Sequence, residues 1–539
     1  MLIPEGDSYQ EIYDNFQWDI PEHYNIAHDV CDRHADDPTK IALVHEDSNR
    51  VITRYSFQAV RGYANQLANG LTEFGLAKGD VVSILLAQAP EAAITHVACW
   101  KAGLVSSPIS ILFGSDAIIY RVNDTQAKVI VTNMENLQKV AAVRDQLPSI
   151  EKILVVDSND DENYWSFLQG YPSEFENLIT RSDDPAIINY TSGTTGNPKG
   201  ATQGHRTMLG HMSGIEYMFD FFPQPNDVIW SPADWSWLAG LMDILMPGWY
   251  GGIPVICSDA AKFDAEDAYR LMSEHKVTCA LLTPTVLKLM RQVKDAKDRH
   301  PLTLRVVVSG AEAVGAELIA WAEDNLNTVL NEGFGQTECN VVLGTNSRVM
   351  EARPGSLGKP APGHLGAIVD DLGQVLEAGN VGNIAFKAPD PVMMLEYHNN
   401  PQATKEKYAD GWLITGDLGV MDDAGYFWFK GRKDDVITSR GYRIGPSEIE
   451  DVLISHPAVA MAAVVGIPDP VLTEKIKAFA ILAEGYDGSD ELVKELKQIV
   501  RSRLAHHEVP HLFEFVAEFP MTATGKIVRR ELRSRSSGD

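Results

Sequence analysis

Cysteine is scarce, five in 539 residues, and Cys31, Cys99, Cys257, Cys279 and Cys339 stand far apart with no Cys-x-x-Cys pair. That argues against a zinc site and a disulfide frame, and it suits a reducing compartment. Positive charge is also short: 46 Lys and Arg face 74 Asp and Glu, a net charge of −28. So acidic a chain is not built to lie on nucleic acid or an anionic membrane surface. Any polyanionic ligand must be drawn by cations gathered locally against that field. No apolar run reaches the roughly eighteen residues of a membrane span. The first residues, Met1 to Asp7, lack the basic segment and apolar stretch of a secretory signal, so the expected location is the cytoplasm. Fixed-period repeats and low-complexity segments are missing as well.

What is present is a long, ordinarily apolar chain. With 45% hydrophobic residues it can bury sizeable cores, and 539 residues exceed what one core usually covers, so two or more domains are expected. From residue 56 to 132 the pattern alternates. A helical spacing (Phe57, Val60, Tyr63, Leu67, Leu71) leads to the apolar run Val81 to Leu86, then a helical stretch through Trp100, then Val129-Ile130-Val131. Such alternation predicts α/β units around a parallel sheet, and it recurs from Ile153 and from Tyr269 to Val308. Gly and Pro cluster between Pro354 and Pro362 as a turn-rich connection. The expected boundary falls after the aromatic strand Tyr426 to Phe429, near Gly431 to Asp435. Beyond it come a helix (448–455), two strands (459–465 and 478–482), a helix (491–504) and a strand (513–516), a small α+β domain. The expected division is 1–432 and 433–539.

The stretch that organises the chain is Thr191-Ser192-Gly193-Thr194-Thr195-Gly196-Asn197-Pro198-Lys199-Gly200, directly after the strand-like run Ala186 to Tyr190. Three glycines let the backbone turn its N–H groups into one concavity, four hydroxyl residues add donors, and Lys199 adds charge. This is a loop composed to hold phosphate. It is not the common P-loop, which needs Gly-Lys-Ser/Thr where Gly196 is followed by Asn197.

Thr191 to Gly200 resembles the signature of the adenylate-forming enzymes: acyl-CoA synthetases, luciferases and peptide-synthetase adenylation domains. Four further blocks occur in that family's order: Asn331 to Glu338, Thr415-Gly416-Asp417 with Gly431-Arg432, Ser439 to Glu450, and Pro520 to Ile527. The resemblance implies an α/β fold, with a large N-terminal domain of layered sheets and helices, a small mobile α+β C-terminal domain, and an active site between them. The reaction it implies is attack by a carboxylate on the α-phosphate of ATP, releasing pyrophosphate, followed by displacement of AMP by the thiol of CoA. Two anions about 4 Å apart repel by roughly 1 kcal/mol in water and several times that in a dry site, so cations and aligned donors must do most of the catalysis.

The same resemblance assigns roles. Residues Thr191, Ser192, Gly193, Thr194, Thr195, Gly196 and Lys199 would hold phosphates. Thr337 would bond the α-phosphate and Glu338 would hold Mg²⁺, a hard cation suited to carboxylate oxygen. Gly310, Ala311 and Glu312, with Glu332, Gly333, Phe334, Gly335 and Gln336, would line the adenine pocket. Asp417 would accept from the ribose hydroxyls, assisted by Arg432. Asp434 matches the hinge. Arg440, Gly441, Tyr442 and Arg443 belong to the segment that swings in for CoA. Lys526 would bridge the substrate carboxylate and the α-phosphate during adenylation.

Among the family's branches the likeness is to medium-chain acyl-CoA synthetases. Enzymes for acetate and propionate carry a tryptophan before Gln-Thr-Glu where this chain has Gly335, and losing an indole there opens room for a longer or branched tail. Trp237 and Leu238 would lie beside the acyl group, while Trp235 and Trp237 read equally as ordinary core aromatics. The expected activity is that of a short-to-medium-chain carboxylic acid–CoA ligase using ATP, Mg²⁺ and CoA, with a branched or aromatic acid fitting the same residues and a homo-oligomer as an open alternative. A luciferase-like ligase would adenylate but not respond to CoA. A non-catalytic nucleotide binder would not need Lys199, Glu338, Asp417, Arg432 and Lys526 together.

Overall fold

The computed structural model describes residues 1–160, 162–191, 198–259, 263–310, 314–351, 353–433, 435, 437–439, 442–521 and 527–536. Within these residues the strands gather into four sheets. The first grows from the alternation that begins at Phe57. Ser56 accepts from the Ala59 N–H to cap helix Phe57–Phe74, whose apolar stripe Phe57, Val60, Ala64, Leu67 and Leu71 is buried. Strand Val81–Leu85, helix Pro90–Lys101, strand Val105–Pro108, helix Ser115–Thr125 and strand Val129–Thr132 follow. The strands are parallel, with Val82 facing Ser106 on one side and Val129 on the other. Lys152–Val155 extends one edge. Beyond Pro185–Thr191 the other edge turns antiparallel, through Lys199–Gly204 and Glu396–Tyr397. Every residue of Val81–Leu85 is buried, as a strand covered on both faces must be.

The second sheet orders nine strands from Lys359–Pro360 through Asn340–Gly344, Val329–Gln336, Val306–Gly310, Cys279–Leu281, Ile229–Trp230, Val255–Ser258 and Ile41–Glu46 to Ile52–Ser56. Its middle is parallel and both edges are antiparallel. The helix–strand–helix–strand order expected between Tyr269 and Val308 is present, with an additional short helix, Ala296–Arg299, that the pattern does not announce. One hydrophobic cluster takes Val82 and Ile84 from the first sheet and Val306 and Val308 from the second, with Trp100, Trp249 and Phe57 among them. The two sheets and their helices are therefore packed layers sharing a core. The five cysteines are free and buried.

A third, antiparallel sheet joins Gly366–Val369, Gly382–Lys387, Trp412–Met421, Tyr408–Ala409 and Phe427–Arg432. The fourth sheet comes from the last part of the chain. Hairpin Ile437–Ser439 with Tyr442–Ile444 joins Thr473–Leu482, Val459–Asp469 and Leu512–Phe515, against helices Pro446–Ile454 and Asp490–Arg503. Its cluster, which includes Ile444, Val464, Ala478 and Leu496, is drawn from Ile437 onward. Helix Asp490–Arg503 is capped by Ser489, with acids in its first turn and arginines in its last, the arrangement its dipole favours. Among the described residues no helix is long and apolar enough to cross a membrane.

Candidate active site

The site lies where carboxyl ends of parallel strands meet, the usual place for ligands in open α/β sheets. Thr191 ends Pro185–Thr191 in the first sheet, and Gly310 and Gln336 end Val306–Gly310 and Val329–Gln336 in the second. The two edges are tied together by Gln203, which donates from Nε2 to the Thr337 carbonyl at 2.6 Å. Thr191 and Lys199 face each other in antiparallel register, and Thr191 Oγ1 donates to the Lys199 carbonyl at 3.4 Å. The two ends of the glycine-rich stretch are thus held side by side. Ser192, Gly193, Thr194, Thr195 and Gly196 lie outside the described residues, as do Ala311, Glu312, Asp434, Arg440, Gly441 and Lys526. Tyr442 and Arg443 belong to the hairpin strand Tyr442–Ile444.

Glu338 is the electrostatic centre. It is 8% exposed, and its Oε1 accepts from the Tyr397 hydroxyl and lies 3.8 Å from Lys407 Nζ. Burial pushes its carboxyl up, but Lys407, the Tyr397 hydroxyl and Arg432 more than offset this and hold it below the ordinary carboxylate range. Lys199 Nζ stands 5.2 Å over the Tyr397 ring. The Glu338 carbonyl accepts from the Met394 N–H at 2.8 Å, which fixes the backbone as well.

From Glu338 a polar chain runs to Asp417. Lys407 Nζ donates to Gln336 Oε1 at 3.1 Å, and Gln336 Nε2 donates to Asp417 Oδ2 at 2.6 Å and to the Thr415 carbonyl at 2.9 Å. Asp417 and Arg432 face each other across antiparallel strands, with Arg432 Nε 3.7 Å from Asp417 Oδ1. Phe334 stacks on Phe386 with ring centroids 6.5 Å apart. Glu332 is buried, with Oε1 accepting from the Gly355 N–H at 3.3 Å; burial first, and then Asp451, push its carboxyl up to about 8. Gly310 and Gly333 are register partners, and a Cβ on Gly310 would stand 2.2 Å from the Gly333 carbonyl oxygen, so this close approach requires glycine.

The vacancy expected at Gly335 is not there. A Cβ built on Gly335 would lie 1.7 Å from the Asn340 carbonyl oxygen, because Asn340, at φ 41°, turns the hairpin inward. A buried polar cluster accompanies that turn: the Asn340 amide contacts the His211 ring, and His211 Nε2 is 2.8 Å from Asp243 Oδ1. Backbone occupies the place where an indole would go. The neighbouring segment is pinned by Gln88 Nε2, which donates to the Ser231 and Ala233 carbonyls at 2.9 and 2.7 Å, and by Asn189 Nδ2, which donates to the Ser236 carbonyl at 3.1 Å. Trp235, 2% exposed, is a core side chain, and Leu238 is also buried in that core. Trp237 is half-buried and meets Phe113 edge-on at 5.9 Å.

Three site residues escape the sequence reading: Gln203, Tyr397 and Lys407. No local pattern announces them: Lys407, directly before Tyr408–Ala409, comes opposite the Thr415-Gly416-Asp417 end of its partner strand only once those strands pair.

A family model described as AMP-binding enzyme matches residues 31–398, and one described as AMP-binding enzyme C-terminal domain matches residues 448–526. Acetyl-coenzyme A synthetase of Bacillus subtilis (strain 168) is 33% identical, over 98% of this chain and 96% of its own. The mitochondrial acyl-coenzyme A synthetase ACSM4 of Mus musculus is 34% identical, over 96% of this chain and 92% of its own. Among solved structures, the anthranilate CoA ligase AuaEII in complex with anthranoyl-AMP superposes with a TM-score of 0.89 at 29% identity, covering 96% of this chain and 98% of that one.

Proposed function

The chain belongs to the AMP-binding enzyme family and is an ATP-dependent carboxylic acid–CoA ligase, and on that premise we propose that it activates a short-to-medium-chain acid, straight or branched, through an acyl-adenylate. The observation that carries the reading is the polar chain from Glu338 through Lys407 and Gln336 to Asp417, with Lys199 beside it. It gathers the cations and donors that a reaction between two anions requires, beside the carboxylates read as the Mg²⁺ and ribose acceptors.

In this reading the loop from Thr191 to Lys199 cradles the phosphates and Thr337 bonds the α-phosphate. Asp417, with Arg432, holds the ribose hydroxyls, and Glu332 to Gln336 with Gly310, Ala311 and Glu312 surround the adenine. Lys526 neutralises the attacking carboxylate and the α-phosphate together. Arg440, Gly441, Tyr442 and Arg443 then meet CoA after rotation about Asp434, with 1–432 and 433–539 as the two moving parts. Glu338 fits Mg²⁺, since a buried carboxylate kept ionised is the hard oxygen ligand this ion takes from protein when phosphates and waters supply the others. The ion would offset charge on the phosphates.

The acid itself is inferred from the aromatic and aliphatic side chains near the site, Trp237 and Phe113 above all. The test is pyrophosphate release with acids from acetate to dodecanoate plus branched and aromatic acids, with and without CoA. A CoA-dependent maximum at mid-length chains supports the reading; a maximum at acetate or at an aromatic acid overturns the chain-length part. The compartment proposed is the cytoplasm, although the Mus musculus relative is named mitochondrial.

A further inference from the structure

We propose that Lys407 is a positioning residue of the nucleotide site, fixing the Gln336 amide so that Asp417 is held and aimed at the ribose hydroxyls. The inference rests on the reading of Asp417 as the ribose acceptor.

Lys407 is anchored before its side chain begins. Asn400 caps helix Pro401–Glu406, the Lys407 N–H donates to the Ala403 and Thr404 carbonyls at 3.1 and 3.2 Å, and the Lys407 carbonyl accepts from the Ile414 N–H at 2.8 Å. From that fixed point the side chain, 13% exposed, reaches three acceptors: Gln336 Oε1 at 3.1 Å, the Thr415 carbonyl at 3.3 Å, and Glu338 Oε1 at 3.8 Å. Its hydrogen bonds therefore go to Gln336 and Thr415, while Glu338 lies beyond hydrogen-bond distance.

That preference decides which way the Gln336 amide faces. With its oxygen on the ammonium, its NH₂ is left to donate to Asp417 Oδ2 at 2.6 Å and to the Thr415 carbonyl at 2.9 Å. The flipped amide would set NH₂ against an ammonium and oxygen against a carboxylate, two repulsive contacts in place of two charge-assisted bonds. Arg432 approaches the opposite carboxylate oxygen, and the Asp417 N–H donates to Thr415 Oγ1 at 3.1 Å. Asp417 is thus gripped from Gln336, Arg432 and Thr415, and the Gln336 grip is set by Lys407. The lysine also supplies one positive charge between two buried carboxylates, which would otherwise repel across the site.

The test is equilibrium binding, without any acid, of Mg-ATP and of its 2′,3′-dideoxy analogue to three forms of the full chain: wild type, Lys407→Met and Lys407→Arg. The ratio of the two affinities within each protein reads the ribose grip and is insensitive to a lowered folded fraction. The expected result is a clear wild-type preference for ATP that falls about tenfold in Lys407→Met, with dideoxy affinity kept within about twofold and the preference kept in Lys407→Arg. Gln336→Leu gives the same loss and serves if Lys407→Met does not fold. An unchanged ratio in Lys407→Met, or equal weakening of both nucleotides, overturns the inference while leaving the ligase reading intact. Absence of any wild-type preference overturns the ribose assignment of Asp417 and the inference with it.

Discussion

Tyr397 donates its hydroxyl hydrogen to Glu338 Oε1, joining a strand at the edge of the first sheet to the loop that follows a strand of the second. The same ring lies under Lys199. Tyr397→Phe keeps the ring and removes one of the groups that hold the Glu338 carboxyl below its ordinary range. The expected cost is about tenfold in kcat/KM for ATP, and Tyr397→Ala, which also removes the aromatic face, costs more. Steady-state kinetics with varied Mg-ATP checks the order of the two variants.

Glu332 makes stability depend on pH in a direction opposite to most carboxylates. Its carboxyl is raised from the ordinary 4.5 to about 8. Between those values the folded chain keeps a proton that the unfolded chain has released, so stability falls as pH rises and the penalty is complete above about pH 8. Glu332→Gln should change stability little at pH 5 and raise it by on the order of 3 kcal/mol at pH 8.5. Urea unfolding at the two pH values measures it; an equal effect at both would place the charge elsewhere.

Gly335→Ala tests the hairpin against the open-pocket reading. With the Asn340 carbonyl in the way, even a methyl group forces the backbone apart. A loss of about 3 kcal/mol in stability and a similar fall in activity for every acid are expected. A selective loss of long acids, with stability unchanged, would restore Gly335 as a pocket floor.

The contrast at Gly335 explains what the sequence discloses. The glycine-rich stretch, Gln336-Thr337-Glu338 and Thr415-Gly416-Asp417 are each contiguous in the chain, so their composition and order are visible in the sequence. The α/β alternation is visible because buried strands and amphipathic helices repeat at different periods. Lys407, Tyr397 and Gln203 join the site only through strand pairing and cross-sheet bonds, which no local pattern carries. Whether Gly335 borders space or backbone depends on the conformation of Asn340, five residues on. Trp235 and Trp237 are near neighbours in the chain, yet one is buried in the core and the other half-buried against Phe113.

Lys526→Ala separates the two half-reactions. If Lys526 neutralises the attacking carboxylate, acyl-adenylate formation should fall by at least about a thousandfold, while thioester formation from supplied acyl-AMP and CoA stays within about tenfold. Equal loss in both halves would contradict the assignment.

The most direct measurement is the stoichiometry of pyrophosphate and acyl-CoA formed from ATP, Mg²⁺ and the best acid of the panel. Sustained turnover with one acyl-CoA per pyrophosphate when CoA is present, and a single burst near one pyrophosphate per chain when it is withheld, is the expected result. Pyrophosphate release that CoA does not alter, with no thioester formed, would contradict the assignment of CoA as the acceptor.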